Sequence, residues 1–241
     1  MAAEPSQGGS AGSERWLRSF GRRKGRKLSQ AQSELLSSGL AHHKLDMSRQ
    51  LPTGELAAIF SGHVSEVWLE IGFGAGEHLI WQAERNPHAG LIGAEPYVNG
   101  VVAALSALES RRLGGRIKIH PDDTISLLGW LPRTSLSRAF VLFPDPWPKK
   151  RHRERRIFSP ALLDRLGRVL RPGAEIRFAS DIADYAEAAI EHATAHPDFE
   201  VVGIFTSANR ATASDWPVTR YEEKASKQGR SSVFISMRRL A

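Results

Sequence analysis

Val67-Trp68-Leu69-Glu70-Ile71-Gly72-Phe73-Gly74-Ala75-Gly76-Glu77 is the stretch on which the reading of this chain turns. The apolar run, Val67, Leu69 and Ile71 with Trp68, reads as a buried strand. Three glycines break it, and an amphipathic segment from His78 to Arg85 follows, so the order is strand, tight turn, helix. Glycine admits positive φ and leaves bare backbone for a ligand, while the new helix points its free N–H groups at the same place. The spacing is G-x-G-x-G, without the last gap of the dinucleotide fingerprint, and Glu70 stands two residues before the first glycine. A carboxylate there opposes a pyrophosphate and favours a ligand carrying ammonium and sulfonium charge.

Outward from this turn the pattern alternates. A helix over 78–86 stops before Pro87, a short strand runs over 91–95, and a helix follows over 97–112. Strand 116–120 ends at Pro121-Asp122-Asp123, a short helix reaches Trp130, and the apolar strand 139–143 stops at Pro144-Asp145-Pro146-Trp147. Ser159 caps a helix with Pro160 in its first turn, strand 175–179 ends at Ser180-Asp181, and a helix spans 183–195. The late strands 199–205 and 232–237 leave no room for a full crossover helix and read as an antiparallel pair joined by a loop. The expectation is one doubly wound α/β domain, with a mostly parallel twisted sheet of about seven strands, helices on both faces and an antiparallel hairpin at its end.

Bulk properties narrow the class. A chain of 241 residues with 41% hydrophobic and 24% charged residues can bury a full core as one domain. Lys and Arg number 33 against 26 Asp and Glu, a net +7 that points to a polyanionic partner if the charge clusters. It does cluster. Residues 1–27 are expected to form a disordered, basic arm, with Arg15, Arg18, Arg22, Arg23, Lys24, Arg26 and Lys27 interleaved with Trp16 and Phe20, and residues 28–241 the domain. The absence of cysteine excludes disulfides and thiolate metal sites, and the adjacent His42 and His43 cannot face one metal from a regular helix or strand, so no metal is expected. No apolar run approaches the roughly 20 residues of a membrane span, and the first 13 residues lack a signal-peptide core. A cytoplasmic protein follows by elimination.

Glu70, Glu95, Asp122, Asp145 and Asp181 each close a successive predicted strand. In an open parallel sheet those ends share one edge, where ligands bind. An acid after the second strand suits both ribose hydroxyls, and one after the third can accept from an adenine amino group. Asp122 and Asp123 compete for that place, with Asp122 nearer the strand end. The set has the shape of S-adenosylmethionine (SAM). After the fourth strand comes Phe143-Pro144-Asp145-Pro146-Trp147-Pro148-Lys149-Lys150-Arg151-His152-Arg153-Glu154-Arg155-Arg156, where prolines stiffen the turn holding Asp145 and Trp147 and the basic run offers phosphate contacts.

The glycine turn, the Gly93-Ala94-Glu95-Pro96-Tyr97 strand end, the loop 143–156, Ala179-Ser180-Asp181 and Val218-Thr219-Arg220-Tyr221-Glu222 together resemble the bacterial tRNA (guanine(46)-N7)-methyltransferases, a class I, Rossmann-like, SAM-dependent family. The likeness extends to the arm from Arg18 to Arg26, and Pro148 departs from it by stiffening the turn further. It implies that Glu70, Gly72, Gly74, Gly76, Glu95, Asp122 and Asp145 bind SAM. It also implies that Lys149, Asp181, Thr219, Arg220, Tyr221 and Glu222 hold the tRNA, and that Asp145 bears on the reacting centre. No protein partner is implied, and a monomer or a homodimer would serve.

Guanine N7 has a lone pair in the ring plane and no hydrogen, so an in-line attack on a sulfonium methyl requires no proton to leave it. Asp145 is therefore expected to act by positioning and electrostatics more than as a base. Methylation of another nucleic-acid base is the next reading, although the turn lacks the second proline of Asp/Asn-Pro-Pro-Tyr/Trp. A non-catalytic RNA-binding scaffold, and more distantly a nicotinamide enzyme, are the remaining alternatives.

Overall fold

The computed structural model describes residues 20–111, 113–212 and 215–241. Strand β1 (Glu66–Ile71) is the centre of a seven-stranded sheet. The other strands are β2 (Ala89–Ala94), β3 (Ile117–His120), β4 (Leu136–Leu142), β5 (Leu170–Ser180), β6 (Phe199–Thr206) and β7 (Val233–Arg239). Their order is β3-β2-β1-β4-β5-β7-β6. The first five run parallel, with Glu70 beside Gly93 on one side and Phe140 on the other. Strand order reverses between β1 and β4, so the loops leaving these two strands face each other across the ligand edge of the sheet.

The alternation in β1 divides the core. Val67, Leu69 and Ile71 point to the face covered by α4 (Thr124–Trp130), α5 (Pro160–Val169) and α6 (Ala183–Ala195). Trp68 points to the face covered by α1 (Gln30–His43), α2 (Glu77–Arg85) and α3 (Val98–Arg111), where it packs with Leu79, Leu105 and Phe140. Glu70 shares that second face with Trp68 and Glu66, and unlike Glu66 at the strand's start it is buried. Burial on both faces is why β1 reads as a nearly continuous apolar run.

The expected α/β sheet with an antiparallel end is present, with some elements that the sequence pattern does not disclose. The segment between the last strands carries a helix, α7 (Arg220–Lys227), in place of the expected loop. Thr219 caps it, its hydroxyl accepting from the Glu222 N–H at 3.4 Å, and only Glu222 and Ala225 turn inward. A helix that polar has no apolar stripe to betray it. Strand β7 lies between β5 and β6, antiparallel to both, because Phe234, Ile235 and Met237 need cover on both sides while Val202 and Ile204 of β6 stand exposed at the edge. Helix α1 also escapes the apolar pattern. A capping box holds it, Ser29 and Gln32 bonding each other's backbone N–H, and Leu35, Leu36 and Leu40 pack it on the α3 side.

Residues 1–19 of the expected arm lie outside the described residues. Residues 20–27 run over the start of α3. Val98 N–H donates to Arg23 O at 3.1 Å, Gly25 N–H donates to Asn99 Oδ1 at 3.0 Å, and Asn99 Nδ2 donates to Arg26 O at 2.9 Å.

Candidate active site

The glycine turn leaves β1 with Gly72, Gly74 and Gly76 at φ of +73°, +58° and +80°. Space in front of Gly72 is open, with no atom within 4 Å of where a Cβ would stand. Gly76 is constrained from behind, since a Cβ there would meet Ala104 Cβ at 2.8 Å, so it lets α2 start tight against α3. Glu95, at the end of β2, locks the turn from the side. Its carboxylate accepts from Gly74 N–H at 2.8 Å and from Tyr97 N–H at 2.9 Å. Burial raises its pKa, with those two N–H groups opposing the rise and the charges of Asp145 and Glu70 adding to it.

In front of the turn lies an open cavity of about 300 Å³ whose wall includes Gly72, Gly74, Glu95, Asp123, Asp145 and Trp147. A volume of this order suits a small organic ligand. A narrower cleft adjoins it behind the turn, bounded by Glu70, Glu77, His78 and the segment from Thr219 to Tyr221. Gly72, Phe143 and Tyr221 border both spaces. Within them, acids and bare glycine backbone fit a ligand with positive charge and ribose hydroxyls better than one with a pyrophosphate.

The turn after β4 is held under backbone strain. Phe143 and Trp147 adopt φ of +50° and +42°, rare for residues of this bulk, and they bracket Pro144-Asp145-Pro146. The Asp145 carboxylate makes no hydrogen bond or ion pair among the described residues, and desolvation in the cavity wall raises its pKa. Trp147 meets Phe20 edge-on at 6.5 Å, and the Arg155 guanidinium stands over both rings, at 5.0 and 5.4 Å.

The other predicted residues divide. Tyr221 and Arg220 reach the glycine turn: a Cβ on Gly74 would stand 2.9 Å from the Tyr221 hydroxyl, and the Tyr221 ring stacks on Phe143 with centroids 6.3 Å apart. Arg220 pairs with Glu77 at 3.4 Å. Thr219 caps α7, and Glu222 is buried. Glu70 is buried against His78, its Oε2 2.8 Å from Nδ1. Asp181 pairs with Arg230 at 2.7 Å, and Lys149 is exposed at the start of the 3-10 turn Lys150–Arg155. Asp122 does not border the cavity. It faces Arg23 at 2.8 Å; burial pushes its pKa up, but the Asp123 N–H and Arg23 outweigh that and hold it below the ordinary value. Asp123 both borders the cavity and caps α4 by accepting from Ile125 N–H at 2.7 Å.

The basic run does not act as one surface. Arg156 is buried, its side chain 5% exposed, donating to Pro146 O at 3.0 Å and Asp184 Oδ2 at 2.9 Å over the Tyr185 ring. It braces the Asp145 turn from within and is not available to a phosphate. Sequence reasoning also missed His78, Tyr97 and Arg230 as members of this region. His78 lies directly after the quoted turn, yet nothing in its spacing singles it out; Arg230 is far from Asp181 in sequence and carries no signal. Among the described residues no group of three His, Asp or Glu side chains could hold a metal, and no helix is long and apolar enough to cross a membrane.

A parallel sheet reversed at β1 and β4, a glycine turn braced by a β2 carboxylate and a cavity between them define a Rossmann-like methyltransferase. A family model described as "Putative methyltransferase" matches residues 65–235. The tRNA (guanine-N(7)-)-methyltransferase of Paramagnetospirillum magneticum is 45% identical over 236 residues, 98% of each chain, and that of Ruegeria pomeroyi 47% identical over 186 residues, 77% of each. The chain belongs to the tRNA (guanine-N(7)-)-methyltransferase family. Among solved structures, the [4+2]-cyclase SpnF aligns with a TM-score of 0.54 at 16% identity, covering 87% of this chain and 92% of its own. That likeness concerns the fold alone.

Proposed function

We propose that the protein transfers a methyl group from SAM to N7 of guanine-46 in the variable loop of tRNA, working in the cytoplasm and needing no metal. The single observation that carries this reading is the strained turn 143–147, which holds an unpaired carboxylate, Asp145, in the wall of a cavity bounded by the glycine turn. Bound SAM supplies an electrophilic methyl on a sulfonium. Glu70 and the Gly72–Gly76 turn would hold its methionine end, Glu95 its ribose hydroxyls, and the acids after β3 its adenine, with Asp122 assigned there. Asp123 is the nearer of the two to the cavity, so a change of ligand-side acid is the first refinement to test.

On this reading Asp145 orients the guanine and stabilises positive charge as it moves onto the base. No proton has to leave N7, so a general base is unnecessary. Lys149 and Arg220 meet phosphates, while Asp181, Thr219, Tyr221 and Glu222 shape the nucleotide side. The basic arm adds sequence-independent RNA affinity.

Nucleoside mass spectrometry on unmodified tRNA incubated with the protein and methyl-labelled SAM tests the proposal. Labelled 7-methylguanosine mapping to position 46 is the expected product. Label in another nucleoside would refute the N7 assignment, and label at another guanine would refute the position. Asp145→Asn should lower kcat by about 10²–10³-fold; near-normal turnover at saturating substrates would exclude the electrostatic role.

A further inference from the structure

The Glu70 carboxylate is not isolated behind the glycine turn. It begins a chain of hydrogen bonds that ends in the segment leading to α7. Glu70 Oε2 lies 2.8 Å from His78 Nδ1, and His78 Nε2 lies 3.1 Å from Gln82 Nε2. Gln82 Nε2 also donates to Asp215 O at 3.2 Å, and Gln82 Oε1 accepts from Asn86 Nδ2 at 3.0 Å. The Gln82 amide is therefore oriented from both ends, nitrogen towards Asp215 and oxygen towards Asn86. Its nitrogen can only donate, so His78 Nε2 accepts and Nδ1–H donates to Glu70. Every bond in the series then has one donor and one acceptor.

The surroundings leave the His78 ring little choice of position. Its side chain is 3% exposed and lies edge-on to Phe140 of β4 with centroids 4.6 Å apart. His78 and Gln82 are four residues apart on α2, one above the other. Asp215 is in turn held by Arg177 of β5, through both its carbonyl and its carboxylate. Four residues after Asp215 comes Thr219, the cap of α7, and Thr219, Arg220 and Tyr221 border the same narrow cleft as Glu70. The series thus starts in the cleft at Glu70 and His78, runs along α2 through Gln82, and ends at Asp215, four residues before the segment that also borders the cleft.

We propose that His78 and Gln82 are positioning residues that tie the donor-side carboxylate Glu70 to the substrate-side segment 215–221, so that occupancy of one side is felt at the other. This inference rests on the reading above that Glu70 faces SAM and that Thr219–Glu222 face the tRNA. A ligand that fixes the Glu70 carboxylate fixes the histidine ring, the glutamine amide and the Asp215 carbonyl with it. Ordering that segment in advance lowers what the second ligand must order for itself. Neither residue touches the reacting atoms, and their effect is on where two other groups stand.

The test is calorimetric titration of the full chain with S-adenosylhomocysteine, alone and with saturating tRNA, read as the ratio of the two Kd values. The wild-type ratio should be at least about fivefold, the lower end of ordinary coupling between sites. Gln82→Met keeps the side-chain length and the Glu70–His78 bond but cuts the link to Asp215, and its ratio should fall to about one. Asn86 Nδ2 and Asp215 O each keep another partner in that variant, Gln82 O and Arg177. His78→Leu should weaken binding of S-adenosylhomocysteine alone by about tenfold, and His78→Asn, whose amide nitrogen can stand in for Nδ1, should recover most of it. Thermal unfolding of each variant identifies any that fails to fold, in which case Gln82→Met decides.

A wild-type ratio of one, a Gln82→Met ratio equal to the wild type, or His78→Asn binding no better than His78→Leu would each overturn the inference. If Glu70→Ala weakens binding but the His78 and Gln82 variants behave as wild type, only this inference fails. If Glu70→Ala binds S-adenosylhomocysteine as tightly as the wild type, the assignment of Glu70 fails as well.

Discussion

Arg156→Ala separates two roles that the basic run 149–156 leaves confounded. The guanidinium donates to Pro146 O at 3.0 Å, to Asp184 Oδ2 at 2.9 Å and, at a longer 3.4 Å, to Asp184 O. It also lies 4.5 Å from the centre of the Tyr185 ring. At about 1.5 kcal/mol for each of the two good charged hydrogen bonds and about 1 kcal/mol for the ring interaction, the gross loss is about 4 kcal/mol. Asp184 keeps Arg153 at 2.7 Å, so no carboxylate is left unpaired and the net cost should be about 2–3 kcal/mol. With a urea m value of about 3 kcal/mol per molar, the unfolding midpoint should fall by about 1 M. Arg151→Ala, on an exposed side chain, should stay within about 0.5 kcal/mol of the wild type. The salt dependence of tRNA binding supplies the second axis. If Arg156 instead neutralised an RNA phosphate, its removal would flatten the slope of log K against log salt by about 0.7–0.9 and leave the urea midpoint in place. That pair of results would refute the structural assignment of Arg156. Because Pro146 O belongs to the Asp145 turn, a fall in kcat should accompany the loss of stability.

Other perturbations follow from the same geometry. Gly72→Ala should cost only the left-handed backbone penalty, about 1–2 kcal/mol, whereas Gly76→Ala adds a collision with Ala104 and should cost about 1–3 kcal/mol more; equal urea midpoints would show that α3 yields freely at that point. Burial lowers the pKa of His120, so the unfolded chain takes up a proton first as pH falls below about 6.5 and stability should be lost through the window down to the lowered folded value; the loss should shrink in His120→Asn, as urea titrations at several pH values would show. Desolvation raises the Asp145 pKa, so the methyl-transfer rate should fall on acidification at a pH above the ordinary carboxylate range, and an acid limb unchanged in Asp145→Asn would assign that limb to another group. Replacing Lys149 and Lys150 together by Ala should flatten the tRNA salt slope by up to about 1.4–1.8 with little change in stability.

What the sequence discloses depends on which physical signal each element carries. Strand β1 and its glycine turn are legible because burial on both faces demands a nearly continuous apolar run, interrupted here by Glu70, and the turn demands residues without a Cβ. Helix α7 is not, because Ala225 and Glu222 alone are buried and the rest of the helix is mostly charged; its one local mark is the Thr219-x-x-Glu222 cap. The strand-end acids are legible as a set, since topology alone brings them to one edge. Their individual duties are not, because these depend on partners distant in sequence. Arg23 engages Asp122 and Arg230 engages Asp181 from 99 and 49 residues away. Charge counting likewise assigns Arg156 to the surface, and only the ring of Tyr185 and the carbonyl of Pro146 reveal it as a brace.

Two of the cavity acids, Glu95 and Asp145, illustrate how one fold edge yields different chemistry from like side chains. Desolvation raises the pKa of both Glu95, which is buried, and Asp145, which is exposed in the cavity wall. Glu95 is committed: both oxygens accept backbone N–H groups, from Gly74 and Tyr97, so it is fixed in direction and tied to the shape of the turn. A ligand meets it as a preset acceptor, suited to hydroxyls whose position must not vary. Asp145 has no partner among the described residues and stands on a turn strained at both ends. Its carboxylate borders the cavity without a compensating partner, a placement from which it can stabilise a nearby positive charge. Guanine acquires such a charge as its N7 is alkylated, and it is neutral beforehand. On the proposed reading, the turn strained at Phe143 and Trp147 fixes where Asp145 stands, and its stabilising effect falls at the stage of the reaction at which the base becomes a cation.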